Sequence, residues 1–232
     1  MGIYANCVED IDLIASVILS YDSDDLDMIQ NYQYKNDINL NKSLKFGFVR
    51  GPVWNFGDED MKHGIEEFVK IHNLTLRIRP WKNFNDAATA HEIIMNGSIA
   101  NSLMKYYQTD KSNLHPFTVK RIEAGIPVSA SDYVSAIEKA KKMEQNLRQL
   151  FLKYDAIITP AAPGQAPRDL MNTGNAIFNG YWTMMGVPAI SLPFLKGKDG
   201  LPIGIQFIAN WSEDLKLLEI CKYILEKEKL AD

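Results

Sequence analysis

Tyr154–Ala209 reads YDAIITPAAPGQAPRDLMNTGNAIFNGYWTMMGVPAISLPFLKGKDGLPIGIQFIA, and three short apolar runs inside it decide the fold. They are Ala156–Thr159, Ala189–Leu192 and Ile203–Ala209. Each is bounded by Pro or Gly, and none alternates cleanly between polar and apolar residues. That is the pattern of strands buried on both faces of a sheet. Pro160, Pro188 and Pro202 stand at run ends, where a proline borders a strand without removing a ladder bond. Two readings follow: a core sheet with stiff turns, or strand ends that build the wall of a binding site.

Working outward, Ser129 or Ser131 caps a helix whose inward face is Tyr133, Ile137, Ala140, Leu147 and Phe151, reaching about Lys153. The charges from Glu138 to Lys142 form its solvated face. After the stretch, Ser212 caps a last helix with Glu213 and Asp214 at its start and Lys227 and Lys229 toward its end, matching the helix dipole. Upstream, Leu44–Val49 reads as a strand. Asp58 caps a helix with Met61, Ile65, Phe68 and Val69 on one face, and Leu74–Ile78 is a second strand. A parallel pair with a right-handed crossover is expected there. Asn83–Tyr107 is a long helical stretch, and the polar segment Thr109–Pro127 is marked by turns. Near the N-terminus, Asn6 and Glu9 resemble a capping box on a helix from about Cys7 to Leu19. The acidic YDSDDLD that follows reads as a solvated turn. Strands alternate with helices throughout, so a layered α/β fold is expected, with a mixed, mostly parallel sheet covered by helices as a single domain over residues 1–232.

Composition sets the class. The 232 residues are 46% hydrophobic and 23% charged, with formal charge −4. This is the profile of a globular chain able to bury a core, without an electrostatic case for nucleic acid or an anionic membrane. No apolar run approaches the roughly 20 residues that span a bilayer. Cys7 and Cys221 form no metal spacing or disulfide framework. The expectations are a cytoplasmic protein, no cofactor and no metal.

Catalytic patterns are scarce. His91-Glu92 lacks the second histidine of H-E-x-x-H, since position 95 is Met. No G-x-S-x-G elbow and no phosphate-binding glycine fingerprint occur. Ser98, Ser102 and Lys105 can be drawn as a Ser-Lys arrangement on one helix, or as solvent-facing residues. Arg168 either holds a carboxylate or faces solvent.

The order of motifs adds a resemblance. Tyr154-Asp155 precedes Thr159-Pro160. Then come Phe178-Asn179, Trp182-Thr183, Gly186, Pro188-Ala189-Ile190-Ser191 with Pro193, Gly200-Leu201-Pro202-Ile203-Gly204 with Gln206, and Asp214 with Leu217-Leu218. Upstream, Val8-Glu9-Asp10, Tyr21-Asp22 through Asp25, Lys45–Gly51, Ala124-Gly125 and Ser131-Asp132-Tyr133 fit more weakly. This series resembles the C-terminal part of the amidase signature family, which includes amidases and the amidase-like subunits of glutamyl-tRNA amidotransferases.

The resemblance implies acyl transfer from a carboxamide by a Ser–cis-Ser–Lys triad. A neutral lysine takes the nucleophile's proton through the middle serine, and backbone amides hold the oxyanion. In the family, the lysine and the Gly/Ser-rich segment precede the helix on which this chain opens, so none of the three maps onto it. A chain lacking the N-terminal catalytic segment, inactive alone, is expected. By resemblance Thr159, Phe178, Asn179 and Trp182 line or support the acyl pocket, each with a purely structural role as the alternative. The expected partners are a small amide and either a second copy of the chain or a complementing N-terminal fragment. The competing readings are a non-catalytic ligand-binding or scaffold module and a fragment of an amidotransferase component.

Overall fold

A computed structural model describes residues 2–25, 28, 34, 38, 40, 43–72 and 84–229. Its helices are α1 (Val8–Ile18), α2 (Glu59–Ile71), α3 (Ala87–Asp110), α4 (Pro116–Gly125), α5 (Ala130–Phe151), α6 (Gly180–Met184) and α7 (Asp214–Lys229). Its strands are β1 (Phe46–Phe48), β2 (Ala156–Pro160), β3 (Ala189–Lys196) and β4 (Pro202–Ile208), joined in the order β1-β2-β4-β3.

The three apolar runs are strands, and the sheet is mixed. β1 runs parallel to β2, whereas β2–β4 and β3–β4 are antiparallel. Antiparallel pairings thus outnumber the parallel one among the described strands. Only the short turn 197–201 separates β3 from β4, and a turn of that length can close nothing but an antiparallel hairpin. β2 is buried along its whole length and β4 nearly so. β3 ends the sheet on one side among the described strands and is half-exposed. Its register shifts between Leu192 and Leu195, which places Pro193 at the irregularity, where its missing N–H costs no ladder bond.

The expected partner of β1, Leu74–Ile78, lies outside the described residues, so the crossover unit does too. The described partner of β1 is β2. Asp155 helps set that register: its N–H donates to the Lys45 carbonyl at 2.7 Å, and its carboxylate accepts the Lys45 N–H at 3.0 Å.

Helix ends differ in detail. Ser129 caps α5: its hydroxyl accepts the Asp132 N–H at 3.0 Å and donates to the Asp132 carboxylate at 2.6 Å. Asn6–Glu9 forms no capping box, because Cys7 occupies the N-cap position and makes no side-chain capping bond. Asp58 stands at the N-cap of α2 but turns its carboxylate toward Gly164. Ser212 has φ 62 and lies in the turn before α7, whose first bond, from Leu217 N–H, ends on the Glu213 carbonyl. The segment read as turns contains α4. His115 Nδ1 accepts the Phe117 N–H at 3.2 Å, and Pro116 is the first helical residue, where its missing N–H is not needed.

One core runs between the sheet and the helices, through Phe46, Phe48, Met61, Ile65, Ile157, Ile158, Phe207 and Ile220 among others. α1 meets α7 through an ion pair between Asp12 and Lys222 at 2.6 Å. The opposite face of α1 leaves Leu13 and Val17 67% and 75% exposed.

Candidate functional site

The end of β2 is the centre of the site, and register explains why. Thr159 on β2 pairs with Gln206 on β4, and Gln206 pairs with Ser191 on β3. Directly opposed residues share a face. The polar residues of three separate motifs therefore form one row across the sheet. Thr159 and Gln206 are buried, and Ser191 is exposed. Gly204 lies two residues from Gln206 on the same face. A Cβ there would collide with the Ser191 hydroxyl and stand 3.1 Å from the Ala161 side chain.

α6 covers the Thr159 end of the row. Tyr181 and Trp182 are fully buried and join Phe84 in a cluster with ring centroids 5.0 to 5.9 Å apart. Gly51, with φ 79, lets the Tyr181 hydroxyl approach to 2.5 Å from where a Cβ would stand. Burial pushes the Tyr181 phenol up from its ordinary pKa, opposed by the nearby Thr159 and Trp182 side chains. Even so, among the described residues the Thr159 hydroxyl, the Tyr181 hydroxyl, the Trp182 N–H and the Gln206 carbonyl close no hydrogen bond of ordinary geometry.

Of the four residues expected from the resemblance, Thr159 and Trp182 come together at this spot. Phe178 is fully buried beside Gly57, its ring tip 3.6 Å from the Cβ position. Asn179 precedes α6 and is half-buried. It donates its N–H to Ala176 O at 2.9 Å and accepts the Thr183 N–H at 3.0 Å. Sequence reading missed Tyr181, Gln206 and His91 as members of the site. Gln206 stood in a quoted motif, but its place in the row needs the register. The His91 ring of α3 abuts Gly180, with Cε1 2.5 Å from where a Cβ would stand. Burial is the main cause that holds its pKa below the usual imidazole value; Glu92 pulls upward and Arg121 downward.

A separate open cavity of about 640 Å³ lies between α3, α4 and α5 and is lined by Ser98, Asn101, Tyr133 and Val134 among others. None of the four expected residues borders it. The bond made by Ser98 is to the Tyr133 hydroxyl at 3.0 Å, while Ser102 and Lys105 are exposed. Arg168 is 78% exposed and pairs with Asp199 at 2.7 Å. Among the described residues, no helix is long and apolar enough to cross a membrane.

A mixed sheet under helices, with motif residues gathered where β2 ends beneath α6, defines a layered α/β protein. The Amidase family model matches residues 1–218, and the chain belongs to that family. It is similar to a glutamyl-tRNA(Gln) amidotransferase subunit from Clostridium botulinum, 25% identical over 89% of this chain and 50% of the relative. The corresponding amidotransferase subunit from Aliarcobacter butzleri is 35% identical over 49% of this chain and 28% of its own length. The chain thus matches half or less of the length of these curated relatives. A solved inhibitor-bound vestigial complex, described as revealing the origins of an s-triazine catabolic enzyme, superposes with TM-score 0.75 and 18% identity. The match covers 92% of this chain and 50% of that one, and it bears on the fold alone.

Proposed function

We propose that this chain carries the acyl-pocket wall of a carboxamide-processing enzyme whose Ser–cis-Ser–Lys residues lie in a segment outside these 232 residues. The Thr159–Gln206–Ser191 row carries this reading, because it gathers polar residues from three family motifs at one strand end. In this reading Phe178 and Trp182 stiffen the wall from behind, Thr159 fixes the strand end, and Asn179 is the least buried of these four. The wall excludes water and holds the amide while the triad transfers the acyl group. The chain alone hydrolyses nothing, its partner is the segment that supplies the triad, and it works in the cytoplasm.

The amidotransferase relatives favour a second form of the same reading. The chain would be part of an amidotransferase complex, where ammonia released from an amide passes onward. A fluorophosphonate probe separates these readings from a relocated nucleophile. We expect no labelled serine in the isolated chain; a label on Ser98 or Ser191 would overturn the assignment. Calorimetric titration with benzamide and benzoate addresses the remaining alternative. Tight binding without turnover in any combination would make the chain a ligand-binding module.

A further inference from the structure

We propose that Asp199, at the tip of the β3–β4 hairpin, is a latch that sets the position of the loop leaving β2 at residues 161–176. Its Oδ2 accepts from Gln165 Nε2 at 2.5 Å, and its Oδ1 accepts from an Arg168 guanidinium N–H at 2.7 Å. Its own backbone N–H donates back to Gln165 Oε1 at 3.3 Å. One carboxylate therefore holds two residues of the loop, and one of them grips it in return.

The seat is built into the backbone. Gly197 is buried, and a Cβ there would collide with Gln165 Oε1 and lie 2.9 Å from Cδ. The missing side chain is the space that Gln165 fills. The hairpin tip is fixed independently, since Lys198 N–H donates to an Asp60 carboxylate oxygen at 2.9 Å. The loop base is fixed as well: Asp58 N–H donates to the Pro163 carbonyl at 2.7 Å. Loop and hairpin thus share one frame, the first turn of α2.

Beyond Arg168 the fastening changes character. The Met171 and Gly174 N–H groups donate to Asp169 and Asn172 side chains inside the loop itself, and the Ile177 N–H just beyond it donates to the Asn175 side chain. Leu170 and Met171 are 97% and 91% exposed. The Arg168 bond lies in solvent, so it is weak and screened by salt. The Gln165 bond also lies at the surface, but Gln165 is less exposed than Arg168 and meets Asp199 through two atoms. Arg168 is the half of the latch that opens, Gln165 is the hinge, and residues 169–176 are the strap. The consequence for amide selectivity rests on the acyl-pocket reading; the latch itself does not.

Chymotrypsin cleavage after Leu170 and Met171, measured on the full 232-residue chain beside its urea midpoint, tests this. Cleavage of a folded protein follows the population of the opened segment. Asp199→Ala and Gln165→Ala are therefore expected to speed it about tenfold with the midpoint unchanged. Arg168→Ala should speed it less and remove the acceleration that 0.5 M NaCl gives the parent chain, roughly the concentration that screens an exposed pair. Asp199→Asn, which keeps one acceptor oxygen, should fall between parent and Asp199→Ala. Cleavage at the parental rate in both Asp199→Ala and Gln165→Ala would overturn the latch, as would cleavage of the parent at the rate of the urea-unfolded chain. If Asp199→Ala does not fold, Gln165→Ala and Arg168→Ala decide alone. None of these readings needs amide turnover, so failure of the acyl-pocket assignment leaves the result interpretable.

Discussion

Thr159 is the residue where structure and proposed chemistry meet. Its hydroxyl is buried and closes no ordinary hydrogen bond among the described residues. Replacing such a group with an apolar isostere is close to neutral. Thr159→Val should therefore shift unfolding free energy by less than about 1 kcal/mol, measured by urea denaturation; a larger loss would mean that the hydroxyl has a structural partner. Gly51 is the opposite case. Its φ of 79 and the nearby Tyr181 hydroxyl leave no room for a side chain. Gly51→Ala should cost about 1–2 kcal/mol from backbone strain alone, before Tyr181 is displaced.

His91 gives a pH signature. Its folded pKa is depressed, mainly by burial, so the folded chain binds the proton less readily than the unfolded one. Its stabilising contribution is complete above the ordinary value of about 6.5 and is lost as pH falls through the folded value. The urea midpoint should drop between pH 7 and pH 5, and His91→Gln should flatten that part of the slope. A parent midpoint that rises on acidification would contradict the assignment. Thr159, Phe178, Asn179 and Trp182 could be picked out by motif spacing alone, which needs no coordinates, and their part in an acyl pocket is a proposal. Tyr181, Gln206 and His91 could not, since their places depend on register and on a helix arriving from far along the chain.

The elements show which signals the sequence held and which it hid. Ala156–Thr159, Ala189–Leu192 and Ile203–Ala209 were readable as strands from Pro/Gly boundaries and apolar content, and α2 and α5 from their buried faces. α4 was hidden because it is short, PFTVKRIEAG, and it opens and closes on the HPF and AGIP stretches that read as turns. The available clues were His115-Pro116 at its start and Gly125 at its end. Gly125 also settles its packing: a Cβ there would collide with the Asn96 carbonyl of α3 and stand 2.7 Å from Ala100 Cβ. Gly125→Ala should destabilise by about 1–3 kcal/mol through overpacking, read as a lowered urea midpoint with helical circular dichroism retained at zero urea. An unchanged midpoint would mean that α4 packs more loosely on α3 than this contact implies. The place of β3 at one end of the described sheet was equally hidden, because an apolar run does not reveal how many neighbours a strand has.

Over the whole molecule, the chain's early and late segments are tied by Asp12 on α1 and Lys222 on α7, both largely buried. Removing one member of such a pair leaves a charge in a poorly solvated place. Lys222→Met should therefore lower stability by about 3 kcal/mol, while Asp12→Leu combined with Lys222→Met should recover much of the loss. A single variant as stable as the parent would show that α1 does not dock on α7 through this pair. The same docking leaves Leu13 and Val17 on the solvent side of α1.

The family assignment and the α/β architecture were both readable from motif order, whereas the direction of strand pairing and the buried polar row required the fold. Ammonia release from simple carboxamides, measured with the chain alone and with an amidase-family segment bearing the lysine and paired serines supplied in trans, tests the functional proposal most directly. No release is expected from either part, and release from the two together, with the phosphonate label on the added segment's serine. Release by the 232-residue chain alone, with the label on one of its own serines, would contradict it.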